Sequence, residues 1–192
     1  MKINNLSFGA KIPVATCQIY NKSTKQPCKA TIYEFDCKDE HDEQYFRKIP
    51  GRWTYSKDIA NDIDMRRCYP RQFSNYRFFA LETQDNKPIG IMEYITSDDA
   101  NNVDFIEAHQ RNKYKYIGTT LLAHAAKQTL KENLEELIIC DPVEKAIPFY
   151  TDKCGFKDGI GSPELSMKQE GMKKLIEHAK EKTKAAIIDI NA

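Results

Sequence analysis

The sequence lacks several features that mark particular classes of protein. No stretch approaches the roughly 20 consecutive apolar residues that a transmembrane helix requires, and residues 1–16 lack the apolar run of a signal peptide. The net charge is only +1, so a strongly charged surface for nucleic acid or for a membrane is not expected. These absences predict a soluble cytoplasmic protein with neither a nucleic-acid nor a membrane partner.

Residues that bind metals or form covalent intermediates are present, but not in the patterns that such sites use. The six cysteines include no C-x-x-C pair, and a chain of 192 residues can bury a core without disulfides, so free thiols are expected. The four histidines lie in separate predicted elements, without metal-ligand spacing. No nucleophile elbow, repeat or low-complexity segment is found. The sequence therefore predicts no metal site.

The most informative stretch runs from Val103 to Leu134. Its first residues are rich in apolar side chains and predict a strand that ends at Ala108. From Ile117 onward apolar residues recur at steps of four, so one face of a helix is apolar. Asn133 tolerates the left-handed conformation and marks the expected end of this helix.

A basic segment separates this strand from this helix and contains Arg111, Lys113 and Lys115. The first turn of a helix has unpaired backbone N–H groups, which favour an anion. The segment therefore predicts binding of a phosphate or a pyrophosphate. The alternative is a basic loop that only joins a strand to a helix.

The letters KYKYIG at residues 113–118 resemble the [Q/R]-x-x-G-x-[G/A] signature of the GNAT superfamily of N-acetyltransferases. In that family the loop holds the pyrophosphate of acetyl-coenzyme A, and the backbone of the preceding strand holds the pantetheine. Lys113 replaces the usual Arg or Gln, and Tyr116 stands where the family usually has Gly. The resemblance implies these cofactor-binding residues: Ile106, Ala108, Lys113, Tyr114, Lys115, Tyr116, Ile117, Gly118 and Thr119.

A second segment, from Ala146 to Tyr150 and on to Gly155-Phe156, resembles the family signature A-x-x-[F/L]-Y followed by G-F. One more residue than usual separates Tyr150 from Gly155, and Val143 replaces the Asn that often opens this signature. The resemblance places Tyr150 as the general acid that protonates the departing thiolate. The alternative is a tyrosine whose ring only packs in the core.

A catalytic base must take a proton from the acceptor amine. Glu107 lies on the predicted strand and is the first candidate. His109 is the second, since histidine side chains can in general exchange a proton near neutral pH. Glu93 and Asp104 lie nearby in the predicted sheet and are further candidates. The sequence leaves these alternatives open.

The resemblance implies an α/β (α+β) fold with a mixed, mostly antiparallel sheet of six to seven strands, flanked by helices. Residues 1–37 fall outside the resemblance and predict an edge hairpin; the alternative is an arm that contacts a partner. Residues 38–192 form the predicted acyltransferase domain. A helix capped by Ser56, a hairpin with Gly90 in its second strand and a helix start at Asp141-Pro142 are expected within it.

The predicted function is transfer of an acetyl group from acetyl-coenzyme A to a primary amine of a small molecule or a protein. The alternative is a catalytically inactive GNAT-fold module that binds coenzyme A or a protein partner, with Tyr116 obstructing the pyrophosphate loop. The residues of the predicted groove walls do not indicate which amine is the acceptor. The sequence does not decide whether the protein forms a homodimer.

Overall fold

The computed structural model describes residues 11–38, 40–109, 113–158 and 163–190. The strands are β1 (Lys11–Asn21), β2 (Gln26–Phe35), β3 (Tyr76–Thr83), β4 (Pro88–Thr96), β5 (Ala100–Ala108), β6 (Tyr114–Lys115), β7 (Glu136–Ile139), β8 (Lys157–Asp158), β9 (Leu165–Lys168) and β10 (Ile188–Asp189). The helices are α1 (Glu40–Lys48), α2 (Ser56–Cys68), α3 (Ile117–Lys131) and α4 (Gln169–Thr183).

The ten strands of the described residues form one mixed sheet in the order β10-β1-β2-β3-β4-β5-β7-β9-β8, and β6 pairs with β1. Only β5 and β7 pair in parallel; the other pairs are antiparallel. The predicted class of fold is confirmed, but the sheet has more strands than the six to seven expected. Three of them, β6, β8 and β10, have two residues each, which is too short for any apolar periodicity to reveal.

Helices cover both faces of the sheet, and successive side chains of β4 pack alternately against the helices of one face and of the other. Met92 and Tyr94 point to the face that α3 and α4 cover, and both are fully buried. Ile91 packs on the opposite face against α1 and α2. Since side chains alternate along a strand, Glu93 also points to the α1–α2 face, where it is fully buried. The two apolar clusters meet only through the sheet.

The N-terminal hairpin is part of this sheet. β2 pairs with β1 and with β3, so the hairpin is joined to the sheet. β1 is itself covered by two short strands, because Ala15 lies opposite Asp189 of β10 and Tyr20 lies opposite Lys115 of β6. The hairpin is therefore not the edge of the sheet. The division into an extension and a domain stays a prediction.

Two helix boundaries differ from the expectation. Ser56 is the first residue of α2 and not its cap; the capping position is Tyr55, and no side chain bonds to the free N–H groups there. Asp141 does not begin an α-helix, because the chain makes a 3-10 turn (Glu144–Ala146) and then a π-helical turn (Phe149–Cys154). By contrast, Asn133 ends α3 with a φ of 57°, as predicted. No helix in the described ranges is long and apolar enough to cross a membrane.

Candidate active site

β5 pairs with its parallel neighbour β7 over only the first half of the length of β5. The two strands pair from Ala100 to Val103, and the N–H of Cys140 makes the last bond, 3.0 Å to the carbonyl of Val103. On the other side of β5 the register with β4 shifts at the same point, which leaves Asp104 as an extra residue between Val103 and Phe105. Such a bulge bends a strand and is frequent beside active sites. It marks the opening of a cleft between β5 and β7.

The backbone of β5 presents two N–H groups to this cleft. The N–H of His109 donates to the carbonyl of Ile89 at 2.9 Å, so it points toward β4. Because successive N–H groups of a strand point in opposite directions, those of Ile106 and Ala108 point toward the open side. These are the two backbone groups that the resemblance predicts for pantetheine. An extended chain with amide groups can add to this edge as a further strand would.

A groove of about 980 Å³ runs along this edge. This is the upper end of the usual range for ligand sites and suits a long ligand. Eight of the predicted site residues line it. They are Ile106, Ala108, Tyr114, Tyr116, Ile117, Gly118, Thr119 and Tyr150.

Tyr116 occupies the position directly before α3 in the left-handed conformation, with φ 67° and ψ 17°. This conformation costs a residue with a Cβ about 1–2 kcal/mol, which explains why the family usually has Gly here. The carbonyl of Tyr116 accepts bonds from the N–H and hydroxyl of Thr120 at 2.8 and 2.7 Å. The first helical turn therefore forms with a tyrosine at this position.

Gly118 lies in the first turn of α3 and faces the ring of Phe149 across the groove. A Cβ on Gly118 would come within 3.0 Å of that ring. Gly90, the glycine of β4 that resembles one in the family, has a related role, because a Cβ there would meet Ile117 at 2.5 Å. These two glycines allow α3 to lie close to the sheet and its N-terminus to lie close to the groove.

Two predicted cofactor residues do not line the groove. Lys115 lies between Tyr114 and Tyr116 in an extended segment, so its side chain points to the opposite side. The Nζ of Lys113 lies 5.5 Å from the ring centre of Tyr114, and the Lys113 carbonyl accepts a bond from the N–H of Lys22 at 2.8 Å. Both lysine side chains are exposed. Arg111, the third predicted cation, lies outside the described residues.

The basic side chains that do line the groove come from later parts of the chain and were not predicted from the sequence. Lys145 and Lys153 flank the turns that carry Tyr150, and His178 and Lys182 lie one turn apart on α4. No sequence signal distinguishes them from other surface side chains. His178 and Lys182 reach the groove because α4 packs against α3, and Lys145 and Lys153 reach it through the turns around Tyr150. The three lysines outnumber Asp152, which also lines the groove, so this end of the groove carries a net positive charge.

Tyr150 lies in the π-helical turn, which absorbs the extra residue before Gly155 because a π turn holds one more residue than an α turn. Its side chain is buried, with rings of Phe149 and Phe156 at 5.3 and 6.2 Å. Burial, and to a smaller extent the neighbouring Cys154 and Tyr55, raise the pKa of Tyr150 to about 12. The phenol therefore keeps its proton at neutral pH.

Glu107 and His109, the first two candidates for the base, do not line the groove. The carboxylate of Glu107 accepts bonds from the N–H groups of Thr54 and Tyr55 at 2.7 and 3.1 Å and from the Thr54 hydroxyl at 3.1 Å. His109 packs its ring 5.2 Å from that of Trp53. Both side chains hold the loop between α1 and α2. The carboxylate of Glu107 is occupied by these bonds and does not line the groove, so the geometry does not favour Glu107 as the base.

The other two candidates, Glu93 and Asp104, lie on the α2 side of the sheet together with Asp62. Burial, followed by the charges of Asp62, Asp104 and Asp58, raises the pKa of Glu93 to about 9. Burial, followed by Asp104 and Asp58, raises the pKa of Asp62 to about 6. These carboxyl groups are therefore close enough to oppose one another's ionisation. Within the described ranges no His, Cys, Asp and Glu side chains form a group that fits a metal ion.

Residues 36–156 match the acetyltransferase (GNAT) family. The chain belongs to this family. The predicted family and enzyme class are therefore confirmed. Among curated proteins, none matches the chain.

Solved structures share the fold at low identity. A protein of the GNAT family from Desulfovibrio desulfuricans superposes with a TM-score of 0.53 at 14% identity, over 73% of this chain and 99% of that chain. AtaTR bound with acetyl-CoA gives 0.53 at 16% identity, over 76% and 97%. AtaT complexed with acetyl-methionyl-tRNAfMet gives 0.53 at 13% identity, over 76% and 98%. Identities this low establish the fold and leave the acceptor open.

Proposed function

We propose that this GNAT acetyltransferase moves the acetyl group of acetyl-coenzyme A to a primary amine of a small molecule or a protein. The open edge of β5 carries the proposal, because it directs the N–H groups of Ile106 and Ala108 into a groove that extends from the start of α3 to Tyr150. The complex of AtaTR with acetyl-CoA supports this choice of donor.

Each part of the donor has a counterpart in the groove. The N–H groups of Ile106 and Ala108 hold the pantetheine, and one of them polarises the acetyl carbonyl. The free N–H groups at the start of α3 bind the pyrophosphate, and Gly118 lets it approach. The lysines at positions 145, 153 and 182 neutralise the remaining phosphate charge.

The transfer forms one bond and breaks one. The amine nitrogen attacks the acetyl carbon, and the C–S bond breaks as the sulfur leaves with the bonding electrons. Tyr150 gives its proton to that sulfur, since its raised pKa keeps it protonated. The amine loses its proton to solvent, since burial raises the pKa of Glu93 to about 9 and this carboxyl group is already protonated at neutral pH. Solvent returns a proton to Tyr150 and completes the cycle.

Two measurements test the proposal. Acetyl-coenzyme A at about 100 times its dissociation constant stabilises a protein by about 2.7 kcal/mol, so the melting temperature should rise clearly. Release of free thiol from acetyl-coenzyme A should then depend on an added amine. The absence of a thermal shift at millimolar acetyl-coenzyme A would contradict the proposal. A shift with no thiol release from any amine would favour the inactive binding module.

A further inference from the structure

Four acidic side chains converge on one point of the α2 face. Asp58 and Asp62 lie four residues apart on α2, so they share one side of that helix. Asp104 is the bulged residue of β5, and Glu93 lies directly beside it on β4. Asp58 and Asp104 are exposed, Asp62 is half-buried and Glu93 is fully buried. These four carboxyl groups, which we call the acidic pocket, oppose one another's ionisation and range from exposed at Asp58 and Asp104 to fully buried at Glu93.

Glu93 has an unusual environment for a carboxyl group. Neither of its side-chain oxygens has a hydrogen-bond partner among the described residues, although its exposure is 0%. The pKa of Glu93 is raised by burial and by the other three carboxylates of the pocket. Burying a carboxyl group without a partner is costly, so such groups are normally paired or serve a ligand. A cation in the pocket would supply what Glu93 lacks.

We propose that the acidic pocket is the acceptor subsite and selects an amine that carries a second cationic group, such as a diamine or a polyamine. This inference rests on the proposed function. The pocket lies at the bulge where β5 leaves β7, which places its acids beside the cleft that receives the acetyl group. The attacking amine must be neutral, so it offers no charge to hold the substrate. A second ammonium group keeps the substrate bound while the first one reacts.

Aromatic side chains at the pocket fit the same ligand. The ring of Tyr55 stacks on Phe105 at 5.1 Å, beside the bulge. Burial, followed by the charges of Asp62, Glu93 and Asp104, raises the pKa of Tyr76, so this tyrosine lies near the pocket. Faces of aromatic rings attract ammonium groups, and carboxylates neutralise them. A phosphate-bearing acceptor such as a nucleic acid would meet like charge here.

The test compares two substrates that differ by one charge. Diaminobutane carries a second amine where pentylamine carries a methyl group, so the two have the same length. Both are assayed by thiol release at saturating acetyl-coenzyme A. The variants Asp62→Asn and Asp104→Asn each remove one charge of the pocket. Asp64→Asn is the matched control, because Asp64 is on the same helix and pairs with Arg67 instead.

The wild-type protein should use diaminobutane with a kcat/KM at least about tenfold above that for pentylamine. Each pocket variant should lose most of that preference through KM for diaminobutane, and Asp64→Asn should keep it. Equal use of the two amines, or a preference that survives both pocket variants, would overturn the inference. Faster use of methionyl-tRNA or of peptides than of diaminobutane would do the same.

A binding experiment separates this inference from the proposed function. Calorimetric titration of diaminobutane into the protein saturated with coenzyme A should show binding that weakens about tenfold in Asp62→Asn and not in Asp64→Asn. Pentylamine should bind more weakly than diaminobutane. Binding with this pattern but without turnover would refute the proposed reaction and support the subsite. Turnover of amines without this pattern of diaminobutane binding would refute the acceptor subsite and leave the proposed reaction standing.

Discussion

The N–H of Thr54 lies 2.7 Å from the carboxylate of Glu107. This bond joins the loop before α2 to the strand whose other edge holds the groove. Tyr55, the next residue of the loop, bonds to the same carboxylate and stacks on Phe105. The wall of the acidic pocket is therefore fixed to β5 at Glu107, the first of the four candidates for the base.

The first prediction is that Glu107 positions this loop and does not act as the base. Glu107→Ala leaves the N–H groups of Thr54 and Tyr55 without their acceptor, so unfolding should cost about 1–3 kcal/mol less and KM for the acceptor should rise. Glu107→Gln keeps one acceptor oxygen and should lose less. Denaturant unfolding and steady-state kinetics measure both effects. A base would behave differently, since Gln would then abolish turnover as fully as Ala.

The second prediction concerns Gly118 and the ring of Phe149. In Gly118→Val the Cβ starts about 3.0 Å from that ring and adds two methyl groups beside the bound phosphates. Affinity for coenzyme A should fall by at least about tenfold, and the fold should survive with a loss of about 1–3 kcal/mol. Gly118→Ala is the graded control and should fall in between. Titration calorimetry and thermal melts give both values. Unchanged affinity in the valine variant would remove this helix end from the cofactor site.

The third prediction separates the lysines that line the groove from those that the sequence favoured. Lys145→Glu with Lys153→Glu should weaken coenzyme A binding by about tenfold or more, because both side chains line the groove. Lys113→Glu with Lys115→Glu should have a smaller effect, since these side chains point elsewhere. Both double variants change the net charge equally and control for long-range attraction. The reverse order of the two effects would restore the lysines at 113 and 115 as phosphate ligands.

The sequence was sufficient to predict most of the backbone groups that line the groove, but few of the charged side chains that line it. The position of Ile106 and Ala108 follows from one strand and one helix that are adjacent in the chain, where local pattern is informative. Lys182 reaches the same groove from α4, and that contact depends on how two distant helices pack. Local pattern carries no signal for such a contact.

Glu107 also shows that local sequence pattern does not identify the partner of a polar side chain. Alternation correctly put it on β5, but its partner Thr54 lies 53 residues earlier in the chain. The role of a polar side chain is decided by the group that faces it, and that group was not visible in the sequence. Asp104 is a second case, since its position depends on a β-bulge that the sequences of β4 and β5 do not reveal. The fold was predictable and the assignment of the acids was not.

The fourth prediction concerns Tyr150 as the acid. Tyr150→Phe removes only the hydroxyl, so affinity for acetyl-coenzyme A should persist and kcat should fall by roughly 10²- to 10⁴-fold. Because the pKa of Tyr150 is raised to about 12, the wild-type rate should not fall from loss of this proton at any pH where the protein is folded. Single-turnover thiol release gives the rate, and calorimetry gives the affinity. Normal turnover in the variant would leave Tyr150 a packing residue.

The fifth prediction uses the pKa of Glu93. It is about 9 in the folded protein and near 4.5 in the unfolded chain, so below about pH 4.5 the group is protonated in both states and its ionisation does not change the stability. Between these values the unfolded chain releases the proton and the folded protein retains it, so the folded state loses stability as pH rises. Glu93→Gln is neutral at every pH and removes this loss. Its melting temperature, relative to wild type, should therefore increase from about pH 5 to pH 9.

A matched control for this measurement is Glu170→Gln, because Glu170 is an exposed residue of α4. Its melting temperature should follow the wild-type curve across the same range. Asp62, with a pKa of about 6, contributes a loss of the same sign at lower pH, and it is present in both Glu93→Gln and wild type. Saturating diaminobutane should reduce the difference between Glu93→Gln and wild type near pH 8, since a bound ammonium stabilises the ionised carboxylate. Parallel curves for wild type and Glu93→Gln would show that Glu93 is ionised like an ordinary carboxylate and is not held without a partner.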